Sequence, residues 1–374
     1  MTRLHVLKSD PRTLPADFWE SEQCELLVMA RWAQDRQQEV KFLHQQLPSL
    51  PGHVWIATSG TLASQWIALS KKAILLSAAA VNAHLQATAA ESWGLTLPLA
   101  HVGGLGIMAR AYLLKQTVIA LTPEAWNPAA LGENAWHGHL LSLVPTQVHD
   151  LVQQNITPPK SLRAVVVGGD RLSSELYQAA LKLGWPLLPS YGLTECGSQI
   201  ATAQPQDSSG KLTPLTHVKL HVDHEDRLWI DSDALFTGKA LVEQDKITWS
   251  ARASGAWPTQ DRAEIAADGS LTILGRFDSV VKVRGEKVDL SALEVDLQTK
   301  LKASLVIISL TDERDGSSLW VMSEQDLSLD KINQDLLPHQ KIRGVHKVTA
   351  LPRTALGKIK RGELRAMMTA SSLR

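Results

Sequence analysis

Residues 140–144 (LLSLV), closed by Pro145, lead into a helical run over 146–154, and residues 162–167 (LRAVVV) form a second apolar run that stops at Gly168-Gly169. A helix over 173–183 follows, capped by Ser173 and closed by Gly184, and then residues 186–190 (PLLPS) run into Tyr191-Gly192. Strand, helix, strand, helix, strand is the pattern of an α/β unit around a parallel sheet. Ligands of such sheets sit beyond the carboxyl ends of the strands, where both Gly168-Gly169 and Tyr191-Gly192 fall.

The same alternation extends back to Trp55. The most apolar stretch, residues 73–90, contains Asn82, His84 and Gln86 and is too polar to span a membrane; it reads as a helix with Ser77 as N-cap and Gly94 as the residue after its end. Over 219–275 the pattern changes to short alternating strands, KLHV, RLWID, KITWSA and LTILG, separated by acidic turns, which reads as a β-rich subdomain. After Gly275-Arg276-Phe277-Asp278 it shifts to β, α, β, α and a basic tail, residues 279–374 holding sixteen Lys/Arg against twelve Asp/Glu. Two domains are expected, 1–275 and 276–374.

The 374 residues are 44% hydrophobic and 20% charged, with Lys+Arg 38 balancing Asp+Glu 38. That composition excludes wholesale disorder, and zero net charge argues against a nucleic-acid partner. Cys24 and Cys196 stand far apart, which suits neither a disulfide framework nor a cysteine zinc site and fits a reducing cytoplasm. The first residues lack the apolar run of a signal peptide.

Five short motifs can carry chemistry, and each has a plainer meaning. Thr58-Ser59-Gly60-Thr61 after an apolar strand can present donors to a phosphate, or be a simple turn; there is no GxxxxGK[ST] loop. His101-Val102-Gly103-Gly104 opens a helix, either beside a flat substrate or as an ordinary N-terminal turn. In Tyr191-Gly192-Leu193-Thr194-Glu195 the carboxylate can hold Mg²⁺ and Thr194 a phosphate, or both can cap the next helix. Asp261 and Arg276 face each other across a hairpin, as ribose ligands or as a surface ion pair. Residues 352–361 (PRTALGKIKR) offer a lysine to a phosphate, or are a solvated basic tail.

In their order along the chain, from about Thr58 to Arg361, TSGT, HVGG, GG, YGLTE, TQD, GRFDSVVKVRGEKV and PRTALGKIKR resemble the adenylate-forming acyl-CoA synthetase superfamily. Residues 99–104 (LAHVGG), 142–147 (SLVPTQ), 191–196 (YGLTEC) and 259–264 (TQDRAE) look most like its o-succinylbenzoate–CoA ligase branch. The resemblance implies a large N-terminal α/β adenylate-forming domain with a β-rich subdomain, plus a small mobile α+β C-terminal domain. It implies ATP and Mg²⁺, o-succinylbenzoate as the acid and CoA as co-substrate, in menaquinone or phylloquinone biosynthesis. It is compatible with a homo-oligomer.

Carried over residue by residue, Lys358 is the adenylation lysine, Thr194 contacts the α-phosphate and His101 lines the acyl pocket. Thr58, Ser59, Gly60 and Thr61 cradle phosphates, and Glu195 holds Mg²⁺. Gly168, Gly169, Ser190, Tyr191 and Gly192 frame adenine and acyl group, and Asp261 and Arg276 bind the ribose. His101, Gln147 and Ser190 are candidates for the aromatic carboxylate. The resemblance also implies rotation about a hinge near Asp278, bringing residues around Lys282 to Gly285 to the CoA side.

One departure stands out. Where the family continues T-G-x-P-K after TSGT, this chain has Leu62-Ala63-Ser64-Gln65-Trp66, which puts Trp66 in the lysine's slot. The alternatives are therefore another aryl- or acyl-CoA ligase, or a non-catalytic nucleotide-binding homologue with a degraded phosphate loop.

Overall fold

The computed structural model describes every residue except 1–3, 10–13, 30–32, 35, 59–63, 122–125, 134, 206, 244–245, 355–356 and 372–374. Among the described residues the strands form a six-stranded sheet, an eleven-stranded sheet, a two-stranded ribbon and a three-stranded sheet.

The parallel heart of the larger sheet is built from Trp93–Leu95, Ile119–Ala120, Leu140–Leu143, Ala164–Val167 and Leu187–Leu193. Trp93–Leu95, Leu140–Leu143 and Ala164–Val167 are buried throughout, as parallel strands covered on both sides are, while Ile119–Ala120 is exposed. Leu140, Ala164 and Val166 pack on one face with Ile107 and Ala111 of the helix Val102–Leu113. Leu141, Leu143, Val165 and Val167 pack on the other with the helices Pro145–Gln153 and Ser174–Lys182. The first of these has Pro145 in its opening turn, and the second is capped by Ser173, whose hydroxyl accepts from Leu176 N. Pro at the start and Ser at the cap are the favoured chemistry of those positions.

The six-stranded sheet joins Leu4–Ser9, Cys24–Met29, His53–Ala57 and Ser64–Ser70 to Gly238–Glu243 and Lys246–Ala251. One of its faces packs through Val54, Ile56, Ile67 and Leu69 onto Ile74, Ala78, Leu105 and Ala109. The helices Lys71–His84 and Val102–Leu113 thus lie between the two sheets. The other face, with Leu26, Trp55, Trp66 and Ala68, is covered by Val40 and Leu43 of the helix Gln37–Gln46.

Three expectations are corrected here. The first long helix is Lys71–His84, capped by Ser70 accepting from Ala73 N, and Gln86 at φ +50 follows its end. Ser77 instead lies buried inside the helix, its hydroxyl donating to Gln199 O at 3.4 Å, and Gly94 is a strand residue. The strand KITWSA leaves the β-rich subdomain and pairs in the six-stranded sheet, whereas KLHV, RLWID and LTILG extend the eleven-stranded one. Trp66 does not stand in a phosphate loop. It pairs with Ala57 and Ala240 inside the six-stranded sheet and is 1% exposed.

After Arg276, the last residue of the larger sheet, the ribbon Val280–Val283/Glu286–Asp289 leads into the helix Leu290–Leu301. The strands Leu305–Asp312, Gly316–Ser323 and Ile342–Lys347 and the helix Arg361–Ser371 complete this part around its own apolar clusters. Arg361 pins the last helix by donating to both oxygens of the buried Glu294, which also accepts from Ile307 N. Among the described residues no helix is long and apolar enough to cross a membrane.

Candidate active site

The carboxyl ends of the parallel strands gather most of the expected residues along one edge. The strand Leu187–Leu193 carries Ser190, Tyr191 and Gly192, and a tight turn, Thr194–Cys196, follows it. Gly192 has no room for a side chain, since a Cβ there would collide with Ser198 O. The antiparallel partner strand shifts register beside it, between Gln199 and Ala201. Gly168 follows the neighbouring strand and donates its N–H to Leu143 O at 3.1 Å. Ser190 Oγ, which donates to Val167 O at 3.0 Å, would be 2.8 Å from a Cβ on Gly168. Gly168 and Ser190 therefore touch across two strands.

Asp261 and Arg276 are register partners across their hairpin. Arg276 donates Nη1 to Asp261 Oδ1 at 3.2 Å, and grips both oxygens of Asp278 at 2.8 Å through Nε and Nη2. Tyr191 Oη donates to Asp261 Oδ2. Asp261, almost wholly buried, is thus held by an arginine and a tyrosine, and each of its oxygens keeps a lone pair for a further donor. Burial, with the Asp261 charge second, holds the Tyr191 phenol well above its ordinary value. The hydrogen bond from Arg276 holds the Asp278 carboxyl below the usual range, with the Lys358 charge contributing.

Glu195 lies beside this group. Burial pushes its carboxyl up, and the Asp261 charge adds to the effect while Arg276 opposes it. A desolvated carboxylate in such a place favours a cation. One carboxylate is what Mg²⁺ commonly takes from a protein when phosphates supply its other ligands, so the donor set fits that ion, although no cluster of three ligating side chains occurs among the described residues.

His101 is the N-cap of the helix Val102–Leu113 and makes no capping bond. Its Nε2 is buried with no hydrogen-bond partner among the described residues, and burial pushes the ring down, so it is neutral at pH 7. Gln147 spends its amide on the loop backbone: Oε1 accepts from Val144 N at 3.0 Å and Nε2 donates to Thr96 O at 3.2 Å. Thr58 stays within its own hairpin, donating its N–H to Gln65 O at 2.9 Å. Ser59, Gly60 and Thr61 lie outside the described residues.

Lys358 is exposed on a tight hairpin in which Thr354 N donates to Lys358 O at 2.8 Å and Arg353 pairs with Ile359. Its neighbour Gly357 sits against Thr146, the second residue of the helix that follows the strand Leu140–Leu143. The lysine loop therefore reaches the same edge.

Sequence reading missed Arg110. It is 2% exposed, with Nε donating to Gly106 O and Nη1 to Ser142 Oγ, both at 3.0 Å, and its guanidinium lies 4.4 Å over the Trp93 ring. Its Nη2 lies against Gly106, where it would be 3.3 Å from an added Cβ. It forms no ion pair with a described residue, and burial alone pushes it down to about 9. A fully buried cation without a counter-charge is costly to fold, which makes it a candidate ligand for an anion.

Residues 55–236 match the model of the AMP-binding enzyme family. The 2-succinylbenzoate–CoA ligase of Staphylococcus aureus strain MSSA476 is 28% identical over 290 residues, covering 73% of this chain and 58% of that relative. The chain thus spans less than two thirds of the length of the curated relatives it matches. Bacillus subtilis o-succinylbenzoate CoA synthetase (MenE) in complex with the acyl-adenylate intermediate OSB-AMP superposes with a TM-score of 0.76 at 17% identity, over 97% of this chain and 88% of that one. The same protein in complex with ATP and magnesium ion gives 0.73 at 17% identity, over 97% and 89%. The fold is that of these o-succinylbenzoate CoA synthetase structures.

Proposed function

We propose that this chain is an AMP-forming acid–thiol ligase acting on o-succinylbenzoate, with ATP and CoA as co-substrates. The observation that carries the choice of acid is Arg110. Adenylation consumes one carboxylate, and a second carboxylate on the same substrate, buried with its aromatic ring, needs a desolvated cation that no described residue already neutralises. The similarity to a 2-succinylbenzoate–CoA ligase over 73% of the chain supports the same acid.

In this reading residues 1–275 bind ATP and acid, and residues 276–374 carry Lys358 and turn about Asp278. Asp261, held by Tyr191 and Arg276, accepts from the ribose hydroxyls. Gly168, Gly169, Ser190, Tyr191 and Gly192 frame adenine and the acyl chain, while Thr58 to Thr61 and Thr194 meet phosphates. Glu195 holds Mg²⁺, which neutralises phosphate charge when bound. The aliphatic carboxylate attacks the α-phosphorus, a new O–P bond forms as the bond to pyrophosphate breaks, and Lys358 stabilises the charge that gathers on the non-bridging oxygens. CoA thiolate then attacks the acyl carbon, the acyl–O bond breaks and AMP leaves with the electron pair. His101, whose Nε2 has no partner among the described residues, lines the acyl side. The two buried free cysteines fit a cytoplasmic enzyme.

The test is pyrophosphate release from ATP and Mg²⁺ with o-succinylbenzoate, against benzoate and fatty acids, with and without CoA. Release with o-succinylbenzoate alone is expected. Release with another acid instead would move the protein to a different ligase, and silence with every acid in folded protein would return it to a non-catalytic nucleotide binder.

A further inference from the structure

We infer that Thr146 is the seat against which the lysine loop docks, so that the Thr146–Gly357 contact positions Lys358 for the first half-reaction; this rests on the ligase reading above. Gly357 is at φ +75, and a Cβ on it would collide with Thr146 Oγ1 and Cγ2 and lie 2.9 Å from Thr146 Cβ. Hydrogen bonds among its described residues hold the loop around it. Gly357 N donates to Thr354 O at 2.9 Å, Lys358 N to Thr354 Oγ1 at 3.2 Å, and Arg353 Nη1 to Gly357 O at 2.9 Å.

A hairpin whose described residues are tied by these bonds, and whose Gly357 meets one side chain, is located by that side chain. Thr146 is itself fixed, since it follows Pro145 at the start of a helix whose cap is closed by Gln147 and Val144. One further interaction sets the same part of the C-terminal region against the large domain: the charge of Asp170, just after Gly168-Gly169, acts on Arg361. Thr146 touches no reacting atom in this mechanism and is a positioning residue.

The experiment separates the half-reactions. Thr146→Leu fills the space the glycine needs, whereas Thr146→Val keeps the shape and removes the hydroxyl. Displacing Lys358 by about 1 Å costs on the order of 100-fold in rate, so Thr146→Leu should lose that much in pyrophosphate release. It should still convert supplied acyl-adenylate and CoA to thioester within about 3-fold of wild type, and Thr146→Val should adenylate normally. An equal fall in both half-reactions, or none in either, overturns the inference.

A structural readout runs beside the kinetics. In Thr146→Cys/Gly357→Cys the Cβ atoms need to open by less than about 1 Å to reach disulfide span, and Cys24 and Cys196 are buried and do not compete. Cross-linking under mild oxidant supports docking, and its absence overturns it. Should wild type release no pyrophosphate, the ligase reading falls while cross-link yield still decides the contact.

Discussion

Arg110→Met removes a charge and keeps most of the side-chain volume, and its consequences can be worked out from the surroundings of the guanidinium. Arginine keeps its proton in proteins, so a guanidinium that burial alone pushes down to about 9 carries an uncompensated desolvation cost, on the order of several kcal/mol. Against that stand two hydrogen bonds, to Gly106 O and Ser142 Oγ, and the Trp93 face, together worth about 3–5 kcal/mol. The two sides nearly cancel. The free variant is therefore expected to melt close to wild type, within about 2 kcal/mol, where most buried polar truncations cost more.

The effect on substrate is not balanced in that way. Removing one partner of a buried charge pair costs about 2–5 kcal/mol, so the KM for o-succinylbenzoate should rise at least about 30-fold. The analogue that lacks the ring carboxylate should bind the variant as well as it binds wild type, or better. Pyrophosphate release measured with both acids, beside thermal melting of the free proteins, gives the comparison. If both acids weaken equally, or if the variant melts far below wild type with its preference between the acids unchanged, Arg110 is a structural residue and no longer supports the choice of this acid.

Lys358→Ala should abolish adenylation while thioester formation from supplied acyl-adenylate persists, since the exposed lysine holds no packing together; stopped-flow assays of each half-reaction check this, and parallel losses would contradict it. Trp66→Lys will not restore a phosphate contact. It buries a cation among Leu26, Trp55 and Ala68 and should cost about 3–5 kcal/mol in urea unfolding, so an unchanged midpoint would refute the placement of Trp66 in the core. His217 has both ring nitrogens buried without a partner among the described residues, and burial pushes it down to about 4. As pH falls below about 6.5 the unfolded chain takes up this proton before the folded one, so stability drops toward pH 4 and then levels. His217→Phe should remove about 2 kcal/mol of the loss between pH 7 and pH 5, and a wild-type-minus-variant difference that stays flat with pH would refute the assignment.

How much of the molecule is legible in the sequence depends on how local each signal is. The run LRAVVV and the caps at Ser173 and Pro145 are local chemistry, and the strands and helices form where they point. Asp261 and Arg276 come together because hairpin register is nearly local. The first long helix is misplaced by its sequence because its cap, Ser70, is also the last residue of a buried strand. The hydroxyl that marks the boundary lies inside an apolar run, and Ser77 stands out instead. Trp66 falls in a loop only when positions are counted from TSGT. The better signal is alternation, since Trp66 and Ala68 face one side of the sheet while Ile67 and Leu69 face the other, a pattern that reads as a strand covered on both faces. The contact between Thr146 and Gly357 joins two distant parts of the chain, and nothing in either segment announces the other.

Arg110 is different, because its signal is present. The stretch GLGIMARA has no polar stripe, and a helix apolar all round is buried all round. A charge inside it must be desolvated whichever way it points, while near a helix end an arginine passes for a residue placed to suit the helix dipole. The second meaning requires exposure, and Gly104 to Ile107 with Ala109 and Ala111 leave none. A lone charge in a helix without a solvent face has to be either neutralised by the protein or kept for a ligand, and Ser142 and Trp93 pack around this one with no carboxylate paired to it among the described residues, which is why the proposed reading gives it to the ligand.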